Sequence, residues 1–181
     1  MSENEDDVIN GIRAGDEDCF IRLVDMYKKR IIALCYSYTE DSHEAEDLSQ
    51  EVFISFYKSI NDFRGDCSIS TYIYKIAVRK CLDFKKKRSM KDMLRGVFRD
   101  KGKEDELDEK IFIRQCIDEL PKDIKIPVVL FYYVGLNQKE IGNILNITQK
   151  AVEGRIYRGK QKLKNKILKG GDTVCSKSQI I

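Results

Sequence analysis

NQKEIGNILNITQKAVEGRIYRGKQKLK, residues 137–164, decides how the rest of the chain is read. Gly135 ends one helix, and Asn137 with Glu140 three residues on supplies a capping pair for the next, whose Ile141, Ile144 and Leu145 face a core. Asn146 tolerates the left-handed turn that glycine usually takes, Ile147 packs inward, and Thr148 caps a second helix. In that second helix Val152, Ile156, Leu163 and Ile167 form the buried stripe, while Lys150, Arg155, Arg158, Lys160, Lys162 and Lys164 fall mainly elsewhere, with Tyr157 among them. Two helices joined by so short a turn cross steeply, and an exposed basic helix is what a major groove admits. Apolar spacing alone would fit many helix pairs. Spacing, caps, turn and charge together point to a DNA-binding helix-turn-helix whose phosphate contacts make its affinity salt-dependent.

Outward from that motif the chain reads as all-helical, with only two prolines, few glycines and almost no strand-like alternation. Apolar residues from Phe20 through Leu23, Tyr27, Ile31 and Leu34 to Tyr38 mark one face of a long core helix between Asp16 and Tyr38. Asp41 and Glu44 form a capping-box pair opening a helix with the stripe Ala45, Leu48, Val52, Phe56 and Ile60. The loop NDFRGDCS follows, then a helix from Ser70 to about Arg88. Residues 89–108 are charge-rich and weakly periodic, a flexible linker with one helical turn. Two small helical domains result, over 1–88 and 109–169. In the second, Pro121 breaks the chain before a helix from Pro127 to Tyr133, and the tail 170–181, which lacks periodicity, is expected to be disordered.

Composition bounds the function. The 181 residues carry a net charge of +3, but acidic stretches (3–7 and 40–51) and basic ones (85–91 and 155–169) are segregated, which points to a local polyanion site. Any one basic run taken alone would fit a solvated helical face. No run approaches the roughly 18 apolar residues of a membrane helix, and the acidic N-terminus lacks a signal-peptide layout, so a cytoplasmic protein without direct membrane insertion is expected. Six scattered cysteines without a CxxC, and His43 as the one histidine, argue against a zinc site or a disulfide framework. No nucleophile triad, metal cluster or phosphate-binding glycine loop is present, so neither an enzyme nor a cofactor is expected.

In the first domain Glu44, Asp47, Glu51 and Lys58 point away from the core stripe with Ile54 among them, an acidic face with an apolar residue that fits a protein partner or an ordinary surface. On the next helix Tyr72, Lys75, Arg79 and Lys86 share one face, offering a ring and several cations as single-stranded nucleic acid binding needs. The segments HEAEDLSQEVFISFY, FRGDCSISTYIYKIAVRKCLDFKKKR and LPKDIKIPVVLFYYVGLNQKEIGNILNITQKAVEGRIYRGKQKLK resemble regions 2.2, 2.3 to 2.4 and 4 of the extracytoplasmic-function sigma factors, over roughly residues 8 to 168.

That resemblance implies a factor that binds core RNA polymerase, reads minus-10 and minus-35 promoter elements, and starts transcription. It points to Asp47, Leu48, Gln50, Glu51 and Phe53 for docking on the polymerase clamp coiled coil, with the flap as a second polymerase contact. It assigns the loop from Phe63 to Thr71, with Arg64, Ser68 and Ser70, to capture of a base flipped from the melted minus-10 element. Tyr72 stands where tryptophan is frequent, and Arg79, Lys80 and Lys86 would hold adjacent bases and backbone. Lys150, Gly154, Arg155, Tyr157, Arg158 and Lys160 fall to the minus-35 duplex. An anti-sigma partner is also implied. The chain departs from the family pattern at Ala151, Glu153 and Gly154, where threonine, a basic residue and serine are frequent. A helix-turn-helix regulator acting without polymerase is the alternative. A third is an interaction module whose basic faces bind protein.

Overall fold

The computed structural model describes residues 5–94 and 109–175. Among them it contains eight α-helices and no strand: α1 Glu5–Arg13, α2 Glu17–Thr39, α3 Ser42–Ser59, α4 Ile69–Leu94, α5 Glu109–Asp118, α6 Lys122–Tyr132, α7 Gln138–Leu145 and α8 Gln149–Cys175, with a short 3-10 turn at Ile60–Asp62.

The first unit is built on α2, α3 and α4, with α1 laid against α2 and the 3-10 turn. Asp16 starts α2 by accepting from the backbone N–H groups of Asp18 and Cys19, and Glu40 ends it in the left-handed conformation. Leu23, Ile31, Leu34, Val52, Phe56, Ile73 and Tyr74 are sealed in the core. Asp41 caps α3 through the N–H of Glu44, but the reciprocal half of the expected capping box is replaced: the Glu44 carboxylate pairs with Arg88 at 3.1 Å. That pair ties the start of α3 to the far part of α4.

The second unit packs α6 on α8 and α7 on α8, with α5 along the C-terminal part of α8. Its elements differ from the sequence expectation in three places. Pro121 is the N-cap of α6 and Pro127 lies inside it, so the helix begins at Lys122, five residues early. Pro127 removes only one backbone donor, and burial of Ile124, Val128, Val129 and Leu130 carries the helix through it. Helix α8 continues through Gly170 to Cys175, into the expected tail; 176–181 lie outside the described residues, as do 95–108 of the expected linker. Ile167, expected in the stripe, is 39% exposed. Helix α1 is an addition, since Ile9 and Ile12 are too few to mark a helix from periodicity.

The two units share a junction. Their buried side chains form one continuous cluster, α7 packs on α4 and α6 touches α2. The Arg114 guanidinium lies 4.2 Å from the centre of the Tyr36 ring and donates to its hydroxyl. Lys125 is only 3% exposed; its ammonium donates to the Asp118 carboxylate and to the Ser37 carbonyl, and sits 4.6 Å from the Tyr38 ring centre. Lys85 of α4 reaches the same carboxylate at 3.2 Å. Burial alone would raise the Asp118 carboxyl. Hydrogen bonds with Glu40 and Lys125 and the charges of Lys125 and Lys85 outweigh that and bring it down to about 2. Burial lowers Lys125, against the pull of Asp118.

Candidate nucleic-acid and partner surfaces

The helix-turn-helix forms as its residues require. Asn137 accepts from the Glu140 N–H while the Glu140 side chain accepts from the Asn137 N–H, a complete capping box. Asn146 takes the left-handed conformation at φ 54° and closes α7. Thr148 accepts from the Ala151 N–H to open α8. Val152 and Ile156 are buried, so the helix turns the opposite face outward. At 100° per residue that face carries Lys150, Gly154, Tyr157 and Arg158, all exposed, with Tyr157 at 63%. Lys160 is exposed on one flank, and Arg155 is half-buried on the other.

The second candidate surface is the loop before α4. Phe63 is buried, its ring centre 4.9 Å from that of Tyr72. Tyr72 also meets Phe56 edge-on, and its hydroxyl donates to the Ser59 carbonyl at 3.2 Å. The ring is therefore held from two sides and tethered at its tip. Ser68 starts α4 by accepting from the Thr71 N–H and donates to the buried Thr71 hydroxyl. Ser70 is half-buried on the first turn. Gly65 supplies the left-handed residue at the loop tip. What remains is an open, mostly apolar cleft of about 360 Å³, lined by Phe63, Arg64, Cys67, Tyr72 and Lys75 among others.

Lys75, Arg79 and Lys86 are exposed along one side of α4 below this cleft. Lys80 departs from that group. It turns toward α3 and pairs with Glu51 at 3.1 Å, because it sits about 100° round the helix from Arg79. Two residues expected to serve different partners thus hold each other. Arg13 of α1 was not anticipated: it donates to the carbonyls of Ile60 and Phe63 and fixes the base of the loop. No sequence signal marks it, since its partners are backbone atoms about fifty residues away.

On α3, Asp47, Gln50, Glu51 and Ile54 are exposed. Leu48 and Phe53, expected at the docking surface, are 5% and 6% exposed and belong to the core, because their positions fall on the stripe that meets α2 and α4. They shape the helix from beneath and leave the acidic outward face to the other residues. A wider cleft of about 610 Å³ separates the loop at Asp66–Ser68 and Lys75 from the α7–α8 turn, including Gly142, Asn146 and Thr148.

A helix-turn-helix with a cationic outward face, paired with a second helical unit whose aromatic and cationic face borders an open cleft, defines a two-part DNA-reading protein. Family models agree in both units: Sigma-70 region 2 matches residues 23–90 and Sigma-70 region 4 matches residues 113–163. The chain is 34% identical to the ECF RNA polymerase sigma factor SigW of Bacillus subtilis, over 88% of its length and 94% of that protein. It is 27% identical to the ECF RNA polymerase sigma-E factor of Escherichia coli, over 92% and 97%. The chain belongs to the sigma-70 family, in its extracytoplasmic-function group. It is a sigma factor, which initiates DNA-templated transcription with RNA polymerase; its relatives are sigma factors and not enzymes. Two solved structures share the fold: CnrH in complex with the cytosolic domain of CnrY, with a TM-score of 0.68 and 22% identity over 87% of this chain and 93% of that one, and RpoE in complex with the anti-sigma factor NepR from Bartonella quintana, with 0.65 and 16% over 82% and 96%. No helix among the described residues is long and apolar enough to cross a membrane.

Proposed function

We propose that the chain divides its work among three surfaces, with no catalytic chemistry of its own. The outward face of α3 (Asp47, Gln50, Glu51) docks on the clamp coiled coil of core RNA polymerase, and the second unit reaches the flap. The cleft at Phe63, Arg64 and Tyr72, with Ser68 next to it at the start of α4 and Arg79 and Lys86 below it, captures a base of the melted minus-10 element and holds the strand beside it. Extruding a base costs a few kcal/mol, so a cleft that accepts only the extruded form both selects sequence and holds the duplex open. Helix α8, through Lys150, Gly154, Tyr157 and Arg158, with Arg155 and Lys160 at its flanks, reads the minus-35 duplex. Such a factor works in the cytoplasm, and an anti-sigma factor holds it inactive, in keeping with the RpoE structure of the same fold, which is in complex with the anti-sigma factor NepR. The observation that carries the division is the tethered Tyr72 ring facing an apolar cleft above a row of free cations, on a unit separate from the helix-turn-helix. A regulator that only bound duplex DNA would have no use for that arrangement.

Run-off transcription by core polymerase on a library of random promoters, with and without the protein, tests this reading. Promoter-specific transcripts that require the protein are expected, and their absence despite binding to core would overturn it. Asp47→Arg should abolish association with core while leaving the helical content and thermal midpoint unchanged. Undiminished association would remove the docking assignment.

A further inference from the structure

Glycine inside a helix destabilises it relative to alanine, because its unfolded chain has more freedom to lose. Each glycine in a helix therefore needs something that repays it. A Cβ on Gly11 would meet the Cys19 sulfur at 2.4 Å, one on Gly142 the Ile147 carbonyl oxygen at 2.8 Å, and one on Gly159 a Val128 methyl at 2.5 Å. Gly15, Gly65 and Gly135 adopt left-handed backbone that other residues avoid. Gly154 has neither justification. It lies in the second turn of α8 with ordinary helical backbone, and a Cβ there would find nothing within 4 Å.

Nothing inside the protein repays this glycine, and its surroundings say where repayment comes from. Gly154 is the midpoint of the outward face of α8, with Lys150 one turn before it and Tyr157 and Arg158 one turn after. The Arg158 guanidinium donates to the Gly154 carbonyl at 3.2 Å, which lays the arginine along the rim. The result is a notch of bare backbone framed by two cations and a ring. We propose that Gly154 is a specificity-determining position: the notch lets α8 seat deeper in the major groove, so that Lys150 and Arg158 reach base edges and not only phosphates. Long cationic side chains on guanine edges are the commonest specific contacts in that groove, and their reach depends on how closely the helix axis approaches. This rests on the proposed role of α8 as the duplex reader and deepens it.

The test uses the full chain assembled with core polymerase and a promoter library randomised across the minus-35 element, comparing wild type with Gly154→Ala, and measures the thermal midpoint of each free protein. The Arg158 bond is to backbone and survives the substitution. Gly154→Ala should raise the midpoint, yet lose roughly tenfold or more in occupancy of the sequences wild type prefers, with little change on the disfavoured ones. A higher midpoint with an unaltered preference would overturn the proposal while leaving α8 as the reader. A midpoint that does not rise would also overturn it, since the glycine would then be repaid within the fold. If wild type itself shows no preference across the randomised element, the reading of α8 fails and this inference fails with it.

Discussion

Asp118 and Lys125 illustrate what a single residue type can conceal. In the sequence both look like ordinary surface charge; in the fold Lys125 is buried against Ser37, 88 positions earlier, and Asp118 gathers two lysines. Removing one member of a buried pair strands the other, so Asp118→Asn should cost on the order of 2 kcal/mol or more at neutral pH. The pH dependence has a definite sign. The folded carboxyl is held at about 2 against an ordinary 3.8, so its ionisation favours the folded state above about pH 4. That contribution fades as the pH falls from about 4 toward 2. Urea unfolding of wild type and Asp118→Asn should give a stability gap that is constant from pH 7 to 5 and narrows below pH 4. A gap of the same size at pH 3 would sink the assignment. Leu48 and Phe53 carry a related lesson: the family resemblance placed them at a docking surface, whereas the helix period, applied strictly, puts both on the inward stripe.

At the scale of elements, the signals that proved readable are those whose causes are local. The Asn137–Glu140 box, the Asn146 turn and the Thr148 cap each involve groups within four residues, and all three form. The start of α6 differs because the sequence makes Pro127 the first residue of that helix, whereas Pro127 lies inside it. The burial of Pro127 with Ile124, Val128 and Leu130 depends on α8, which no local pattern reports. Gly142 shows the same division. Its need for glycine becomes visible only once α7 and the Ile147 carbonyl are placed together, because the obstructing atom is backbone and cannot rotate away. Gly142→Ala should therefore destabilise the chain by about 1–3 kcal/mol. Thermal unfolding checks it, and the comparison with Gly154→Ala is informative, since one alanine in the motif should lower the midpoint and the other raise it. If both substitutions moved the midpoint in the same direction, the account of the motif's glycines would fail.

For the whole molecule the question is how two readers packed on one another serve two separated DNA elements. The first-unit loop at Asp66–Ser68 and the turn that opens α8 line the same cleft. A compact chain of this length has a radius of gyration of about 16 Å. Elements named for positions some 25 base pairs apart are separated by roughly two and a half turns of duplex, or ~85 Å. On the proposed division of surfaces both readers cannot be engaged in the arrangement described, so that proposal requires α6 and α7 to leave α2 and α4 when promoter DNA is bound. The junction is suited to such a parting. Beside its apolar cluster it is held by Arg114, Lys125, Asp118 and Lys85, polar groups that water can satisfy once they are exposed. Nothing in the sequence announced the junction, because the same residues would also serve two units joined by a free linker. A donor and acceptor dye introduced at Asn61 and Gln149, both exposed and outside the proposed contacts, should give high energy transfer in the free protein. Transfer should fall when core polymerase and promoter DNA are added together. Low transfer in the free protein would mean that the junction does not hold in solution, and high transfer in the promoter complex would mean that the two units do not read separate elements at once.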